Sequence, residues 1–259
     1  MTYARYVALG DSQTEGLGDG DERAGYRGWA DRLAARLAEL NPDLLYANLA
    51  VRGKLAAEIH AEQLAPALAL EPDLATVLAG MNDLLRRRFD LAAVVGHIEA
   101  MFAALTAAGA QVGTVTFPDL GRITPLARPL LPRVRALNAA IRAAADRHDV
   151  RVVETYTVVV TTDARIWTVD RIHASPLGHE LIAASMAHAL ELPGSDDSWT
   201  RPLPPAPRPS PAQAAATELR WIASIAAPWV TRRLRGVSSG TGRVAKRPEL
   251  GRFGPAPME

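Results

Sequence analysis

Short apolar runs alternate with helix-length segments along the first 195 residues, and this alternation constrains the fold more than any other feature. Most of the runs are apolar enough to be buried on both faces, as the strands of a parallel sheet are. Because the crossovers between parallel strands are right-handed, the pattern predicts an α/β, doubly wound five-stranded parallel sheet with flavodoxin-like strand order. The predicted strands are YVAL (6–9), LLYANL (44–49), LATVLA (74–79), QVGTVTF (111–117) and VRVVET (150–155).

Five helical patterns lie between or after these strands, and a proline-rich stretch then ends the α/β region. The stretch SWTRPLPPAPRPSPAQ (198–213) has six prolines, which is typical of an extended connector. We therefore expect one domain over residues 1–195, a proline-rich linker over 196–211, and a basic helical segment with a disordered end over 212–259. The helical patterns are GWADRLAARLAEL, KLAAEIHAEQLAPALA, DLAAVVGHIEAMFAALTAAG, PRVRALNAAIRAAADRH and SPLGHELIAASMAHALEL.

Charge divides the chain at the same place. The net charge is +1, but residues 201–259 hold ten arginines and lysines against three glutamates, so this tail is +7 and the preceding residues are −6. Within the tail, AQAAATELRWIASIAA (212–227) has an apolar face at helical spacing, and WVTRRLR, closed by Gly236, predicts a short second helix. A basic, partly apolar tail suits three roles: docking on the acidic domain, dimerisation, or contact with an anionic partner. For the third role, a membrane surface is expected rather than nucleic acid.

Composition excludes several classes of protein. The chain has no cysteine, which rules out disulfides, thiolate nucleophiles and cysteine-ligated zinc. It has no run of 18 apolar residues, and a cleaved secretory signal would have to include the first strand. We therefore expect a cytoplasmic location and no cofactor.

Four short polar segments fall where predicted strands end or where the last helix begins. They are GDS (10–12), AVRG (50–53), GMND (80–83) and DRIH (170–173). In a doubly wound sheet, ligands bind outside the carboxyl ends of the strands, so we expect these segments to converge on one rim.

The residues in these segments have complementary chemistry. Ser12 offers a hydroxyl at a strand-to-helix turn, His173 can take its proton, and Asp170 can orient the imidazole. The backbone N–H groups of Ser12 and Gly53, with the side-chain amide of Asn82, can stabilise the oxyanion of a tetrahedral intermediate. The set predicts nucleophilic catalysis by a serine.

The four segments resemble the sequence blocks of the SGNH, or GDSL, hydrolases. GDSQTEG is similar to the first block, Gly53 to the glycine of the second, GMND to the G-x-N-D block and DRIH to the D-x-x-H block. The resemblance implies that Ser12 is the nucleophile, that Asp170 and His173 complete the triad, and that Gly53 and Asn82 complete the oxyanion hole. It also implies the SGNH hydrolase fold over the first domain and nothing about the tail.

Each of these residues also has a purely structural interpretation. Ser12 suits a helix N-cap, Asn82 suits a turn, and Asp170 with His173 suits the start of a helix. Asp11 and Asp83 are interpreted as residues that brace the loops. The other five histidines lie within or at the ends of helical patterns, where packing or surface roles are expected.

The segment FPDLGRITPLARPLLPR (117–133) gives what substrate information the sequence has. We expect it to be irregular and to wall an acyl pocket with Leu120, Ile123 and Leu126. The predicted function is a serine esterase that cleaves a small-molecule ester of a small or medium acyl group through an acyl-enzyme. The alternatives are a thioesterase, a lysophospholipase, a carbohydrate deacetylase, and a non-catalytic binding module that works through its basic tail.

Overall fold

The structure, a computed structural model, describes residues 2–206, 210–226 and 240–253. Its strands are β1 (Arg5–Gly10), β2 (Gly20–Asp21), β3 (Gly25–Tyr26), β4 (Leu45–Asn48), β5 (Leu74–Leu78), β6 (Gln111–Val115), β7 (Arg151–Val153) and β8 (Arg247–Arg252). Its α-helices are α1 (Ser12–Glu15), α2 (Trp29–Leu40), α3 (Ala56–Ala69), α4 (Met81–Leu84), α5 (Leu91–Ala107), α6 (Leu120–Ile123), α7 (Leu131–Arg147), α8 (Pro176–Ala189) and α9 (Pro211–Trp221).

The main sheet has the strand order β7-β6-β5-β1-β4-β8, and its first five strands are parallel. Taken in chain order, those five follow the flavodoxin-like arrangement 2-1-3-4-5, so the predicted topology is confirmed. The order reverses beside β1, where the chain leaves first toward β4 and then returns to β5 on the other side. Polar loops at the carboxyl ends of these three strands therefore meet at one point.

Burial explains why these runs became strands. Every residue of β5 is buried, and in β1 only Arg5 is partly exposed, because helices cover both faces of the sheet. Helix α2 packs against α8, while α3, α5 and α7 pack in succession. The core contains large, fully buried side chains such as Trp29, Tyr6 and Phe102.

The tail adds a sixth strand that the sequence did not predict. Strand β8 pairs antiparallel with β4, and Pro248 is accommodated because an edge strand does not need every N–H group. The prediction placed these residues in a disordered end; the structure instead has a strand there, with the Phe253 ring 5.6 Å from that of Tyr46. The sheet therefore has six strands rather than five.

The segment 117–133 differs from the prediction, and the predicted second tail helix cannot be compared with the structure. The segment 117–133, predicted to be irregular, contains α6 and a 3₁₀ helix over Pro125–Leu130. Asp119 accepts a hydrogen bond from the Gly121 N–H at 3.0 Å and so starts α6. The second tail helix predicted at 229–235 and its Gly236 cap lie outside the described residues. Within the described ranges, no helix combines the length and apolarity needed to cross a membrane.

Candidate active site

The serine lies on a sharp turn from β1 into α1. Asp11 is the N-cap of α1, and its carboxylate accepts a hydrogen bond from the Gln13 N–H at 3.2 Å. Gly10 is needed just before it, because an added Cβ would lie 2.4 Å from the Thr14 hydroxyl oxygen. Ser12 is therefore the first residue of α1, and its N–H has no acceptor within the helix itself.

Ser12, His173 and Asp170 form one hydrogen-bonded chain. The Ser12 Oγ is 3.0 Å from His173 Nε2, and His173 Nδ1 is 2.6 Å from an oxygen of Asp170. Since an ionised carboxylate only accepts hydrogen bonds, Nδ1 carries the hydrogen and Nε2 is left to accept the proton of Ser12. The structure thus brings together the three residues that the sequence predicted for catalysis.

Asp170 is held in its ionised form. Burial would raise its pKa, but hydrogen bonds from His173 and from the Thr168 hydroxyl, at 2.6 Å, outweigh burial and keep the pKa of Asp170 well below its usual value. The backbone N–H groups of Ile172 and His173 donate to the same carboxylate. Asp170 therefore stays ionised at physiological pH and accepts the Nδ1 hydrogen of His173 without competing for it.

Gln13 ties the turn that carries Ser12 to the loop that carries His173. Its Nε2 donates to the Ile172 carbonyl at 2.9 Å, and its Oε1 accepts from the Ala174 N–H at 3.2 Å. The two bonds flank His173 on both sides and set its distance from Ser12. Sequence reasoning missed this role, although the position of Gln13 directly after the serine was a usable signal.

The predicted oxyanion residues lie at the adjoining loops. Gly53 has a φ of 78°, in the left-handed region that a residue without Cβ adopts readily. The Asn82 amide donates to the Asp11 carboxylate at 2.9 Å and to the Lys54 carbonyl at 3.1 Å. Asn82 therefore lies between the residue that precedes Ser12 and the residue that follows Gly53.

Asp11 and Asp83 brace these loops, as expected. Burial raises the pKa of Asp11 to about 6, against the lowering effect of its bonds from Gln13 and Asn82. Asp83 accepts the Ala56 N–H at 3.0 Å, which fixes the start of α3 against the Asn82 turn. Burial also raises the pKa of Asp83.

A buried ion pair supports the Gly53 loop from behind. The Arg52 guanidinium contacts Glu15, and the Arg52 N–H donates to the same carboxylate at 2.7 Å. Both side chains are less than a tenth exposed. The pair joins the loop before Gly53 to α1, a connection that the sequence did not reveal. From the tail, Gly240 packs on the Arg52 carbonyl so closely that a Cβ there would lie 2.1 Å away.

An apolar cavity of about 210 Å³ opens beside Asp170. Leu120, Ile123 and Leu126, the three predicted acyl-pocket residues, all line it, together with Asp170 and its neighbours. A smaller cavity of about 70 Å³ reaches Asp11 and shares Met81 and Trp167 with the first.

The buried His179 near the Ser12 turn has a structural role. His179 is fully buried, accepts the Trp29 N–H at 3.1 Å and lies 2.9 Å from the Leu17 carbonyl. Burial lowers its pKa to about 4, so the ring is neutral and joins α8 to the loop after the serine. Among the residues that the structure describes, no group of three or more acidic, histidine or cysteine side chains is arranged to hold a metal ion.

Several solved structures share this fold. LAE5, an alpha/beta hydrolase from the metagenome of Lake Arreo in Spain, is 21% identical with a TM-score of 0.61; the match covers 73% of this chain and 95% of LAE5. The lipase/acylhydrolase from Enterococcus faecalis is 24% identical with a TM-score of 0.59, over the same two shares. A variant of Axe2, an acetyl xylan esterase from Geobacillus stearothermophilus, is 17% identical with a TM-score of 0.61, over 76% of this chain and 98% of its own.

At these identities the likeness establishes the fold, and none of the curated proteins compared with the chain matches it significantly. The family comparison is more specific. It matches residues 8–181, about two thirds of the sequence and every segment of the site described above. With that match, the chain belongs to the GDSL-like lipase/acylhydrolase family.

Proposed function

We propose that the protein hydrolyses carboxylic esters of small or medium apolar acyl groups through an acyl-enzyme on Ser12. The observation that supports this most directly is the continuous chain of hydrogen bonds from Ser12 Oγ through His173 to Asp170, at 3.0 and 2.6 Å. These distances lie within the range for proton transfer from a nucleophile to its base. Membership in a family of lipases and acylhydrolases supports the same reaction class.

In the first half-reaction, Ser12 Oγ attacks the ester carbonyl carbon as its proton passes to His173 Nε2. The negative charge moves to the carbonyl oxygen, where the N–H groups of Ser12 and Gly53 and the Asn82 amide stabilise it. The oxyanion competes with the Lys54 carbonyl for one N–H of the Asn82 amide. The hydrogen bond from Asn82 to the substrate oxygen strengthens as negative charge develops on that oxygen.

Collapse of the intermediate then breaks the bond to the alcohol, which leaves with the proton held by His173. Water enters, His173 takes one of its protons, and the hydroxide oxygen attacks the acyl carbon. The carboxylic acid departs and the proton returns to Ser12, so no external acid, base or metal is needed. Asp170 stays ionised throughout and stabilises the imidazolium in both halves.

Covalent labelling and hydrolysis rates together test this function. Wild-type protein should react with a fluorophosphonate probe at Ser12 and should hydrolyse p-nitrophenyl butyrate. Ser12→Ala and His173→Ala should each lower kcat by about 10⁴-fold, and the double variant should be little worse, because triad residues act as a unit. The control is Ser198→Ala, which alters an exposed serine of a 3₁₀ turn and should change neither readout.

The competing hypothesis is a binding module without catalytic activity. It predicts no labelling of Ser12 and no ester hydrolysis that depends on Ser12. Hydrolysis that survives Ser12→Ala would equally contradict the proposed mechanism.

A further inference from the structure

One wall of the apolar cavity comes from the C-terminal tail. Trp221, the last residue of α9, and Ile225, in the π-helical turn that follows, line the cavity. The other residues that line the cavity, which include Leu126 and Ile172, come from the first 172 residues. The family match ends at residue 181, so α9 is an addition to the part of the chain that the family shares.

The attachment of α9 runs through the triad loop itself. Arg171, which follows Asp170 directly, pairs with Glu218 of α9 at 2.7 Å. Its guanidinium carbon also lies 4.2 Å from the centroid of the Trp221 ring, a cation–π geometry. Arg171 has a φ of 59°, unusual for a residue with a Cβ, and its N–H donates to the Thr168 carbonyl at 3.0 Å. One side chain thus connects the loop that carries Asp170 and His173 to a helix that lines the cavity.

The chemistry of this wall selects against short or polar acyl groups. An acetyl group ends within one carbon of the reacting carbonyl, so little of it can contact a wall made by a separate helix. A longer alkyl chain can extend into the cavity that Ile123 and Trp221 line, and each methylene removed from water there favours binding about three- to fourfold. A sugar or a charged group would lose hydrogen bonds to water on entering the same space.

We propose that α9 forms the wall of the acyl pocket that contacts the far end of a longer acyl chain, and we call it the chain-length wall. Through this contact the tail makes the enzyme prefer esters of medium-chain fatty acids over acetate esters. The proposal rests on the proposed esterase function and adds the substrate class. Trp221 is the residue that defines the wall, and Arg171 and Glu218 position it.

The chain offers a matched pair of substitutions on one helix. Trp221→Ala removes the wall, whereas Leu219→Ala removes a side chain of α9 that is 68% exposed and does not line the cavity. The measured quantity is the ratio of kcat/KM for p-nitrophenyl decanoate to that for p-nitrophenyl acetate. Trp221→Ala should lower the ratio by about tenfold or more, Trp221→Phe should restore most of it, and Leu219→Ala should leave it within about twofold of wild type.

A second readout does not depend on turnover. In a Ser12→Ala background, calorimetric titration with decanoate should give a Kd about tenfold weaker when Trp221→Ala is added and an unchanged Kd when Leu219→Ala is added. Equal decanoate affinity in all three proteins, or an unchanged ester ratio in Trp221→Ala, would overturn the chain-length wall.

The two readouts also separate this proposal from the esterase function. If no ester is hydrolysed but decanoate affinity still depends on Trp221, the wall stands and the proposed reaction fails. If esters are hydrolysed in a Ser12-dependent manner but neither readout responds to Trp221, the reaction stands and the wall is refuted.

Discussion

The first 200 residues and the tail are held together by different interactions. In the first region, the groups that support the Ser12 turn and the Gly53 loop are buried: Asp11, Glu15 and Arg52 are each less than a tenth exposed. The tail docks on this acidic region through the backbone pairing of β8 with β4 and through ion pairs that are more exposed on average, such as Arg171 with Glu218. Of the three roles predicted for the tail, the structure has the first, docking; membrane contact and dimerisation stay predictions.

The difference matters because buried and exposed polar contacts respond to different perturbations. Bonds inside the first region are shielded from salt, and removing one partner leaves a buried group unsatisfied. Exposed pairs are screened by salt and contribute little each. Changes in the first region should therefore affect the chemistry, and changes in the tail should affect selectivity and stability by smaller amounts.

The largest effect expected beyond the triad comes from Asn82. Asn82→Ala should lower kcat by about 10² to 10³ with KM nearly unchanged, since the proposed role of the amide is to bind the oxyanion more strongly than the ground-state carbonyl. Steady-state kinetics on p-nitrophenyl butyrate measure both parameters. Asn41→Ala, which removes an amide that donates to the Tyr3 carbonyl instead, is the control. A raised KM with kcat intact would make Asn82 a binding residue. It would then contradict the expectation that changes in the first region affect the chemical step.

The parts of this site that could be predicted from sequence are those fixed by chain order. Ser12 and Asn82 lie in recognisable short motifs that follow β1 and β5, and a parallel sheet brings such strand ends together whatever the surrounding side chains are. His173 lies in a recognisable motif just before α8. The hydrogen bonds of Gln13 to Ile172 and Ala174 and the Arg52–Glu15 pair could not be predicted in the same way. Each joins loops distant in sequence, and its formation depends on side-chain rotamers and on burial that appears only in the folded state.

The second effect is the pH dependence of stability that the buried His179 should cause in the first region. With a folded pKa of about 4 and an ordinary value of 6.5, His179 stays neutral in the folded protein while the unfolded chain takes up a proton. Stability from this group is therefore present above pH 6.5 and is lost as pH falls toward 4, by up to about 3 kcal/mol. Asp11 shifts in the opposite sense, so wild-type stability alone would mix the two effects.

Comparison with His179→Gln isolates the histidine. The free energy of unfolding of wild type minus that of this variant, from urea denaturation, should fall by about 3 kcal/mol between pH 7 and pH 4. Gln keeps one donor and one acceptor for Leu17 and Trp29, so the variant should still fold. A difference that does not vary with pH would show that His179 is not held neutral by burial.

The tail was the part least open to prediction. Its apolar stripe predicted a helix, and α9 is that helix over Pro211–Trp221. Strand β8 was missed because a short segment rich in proline, glycine and arginine has low strand propensity, and the unpaired edge of β4 and its contact with Phe253 supply the stabilisation. Local sequence cannot show that an edge is available, since this depends on the whole sheet.

The third effect concerns the ion pair between Asp31 and Lys246, the residue just before β8. The Lys246 ammonium donates to Asp31 at 2.5 Å and to the Tyr26 carbonyl at 2.9 Å, and the Asp31 side chain is only 12% exposed. Lys246→Ala should lower the free energy of unfolding by about 1 to 2 kcal/mol, because a mostly buried carboxylate loses its counter-charge. Arg252→Ala, which removes an exposed pair with Asp43, should cause little measurable change in the same urea titration. Equal effects would mean that burial does not distinguish the two pairs.

The smallest effect distinguishes the two docked parts of the tail from each other. Strand β8 is held by backbone hydrogen bonds to β4, whereas α9 depends on the Arg171–Glu218 pair and the stacked Trp221. Raising salt from 0.1 to 1 M shortens the screening length from about 10 to about 3 Å and should weaken only the ion pair. Hydrogen exchange followed by mass spectrometry should therefore show the α9 amides exchanging up to about fivefold faster in 1 M salt, corresponding to the loss of less than about 1 kcal/mol, while β8 and β1 are unchanged. If β8 responds as α9 does, the tail is docked electrostatically as one unit; if neither responds, Trp221 alone holds α9 and the ion pair adds nothing.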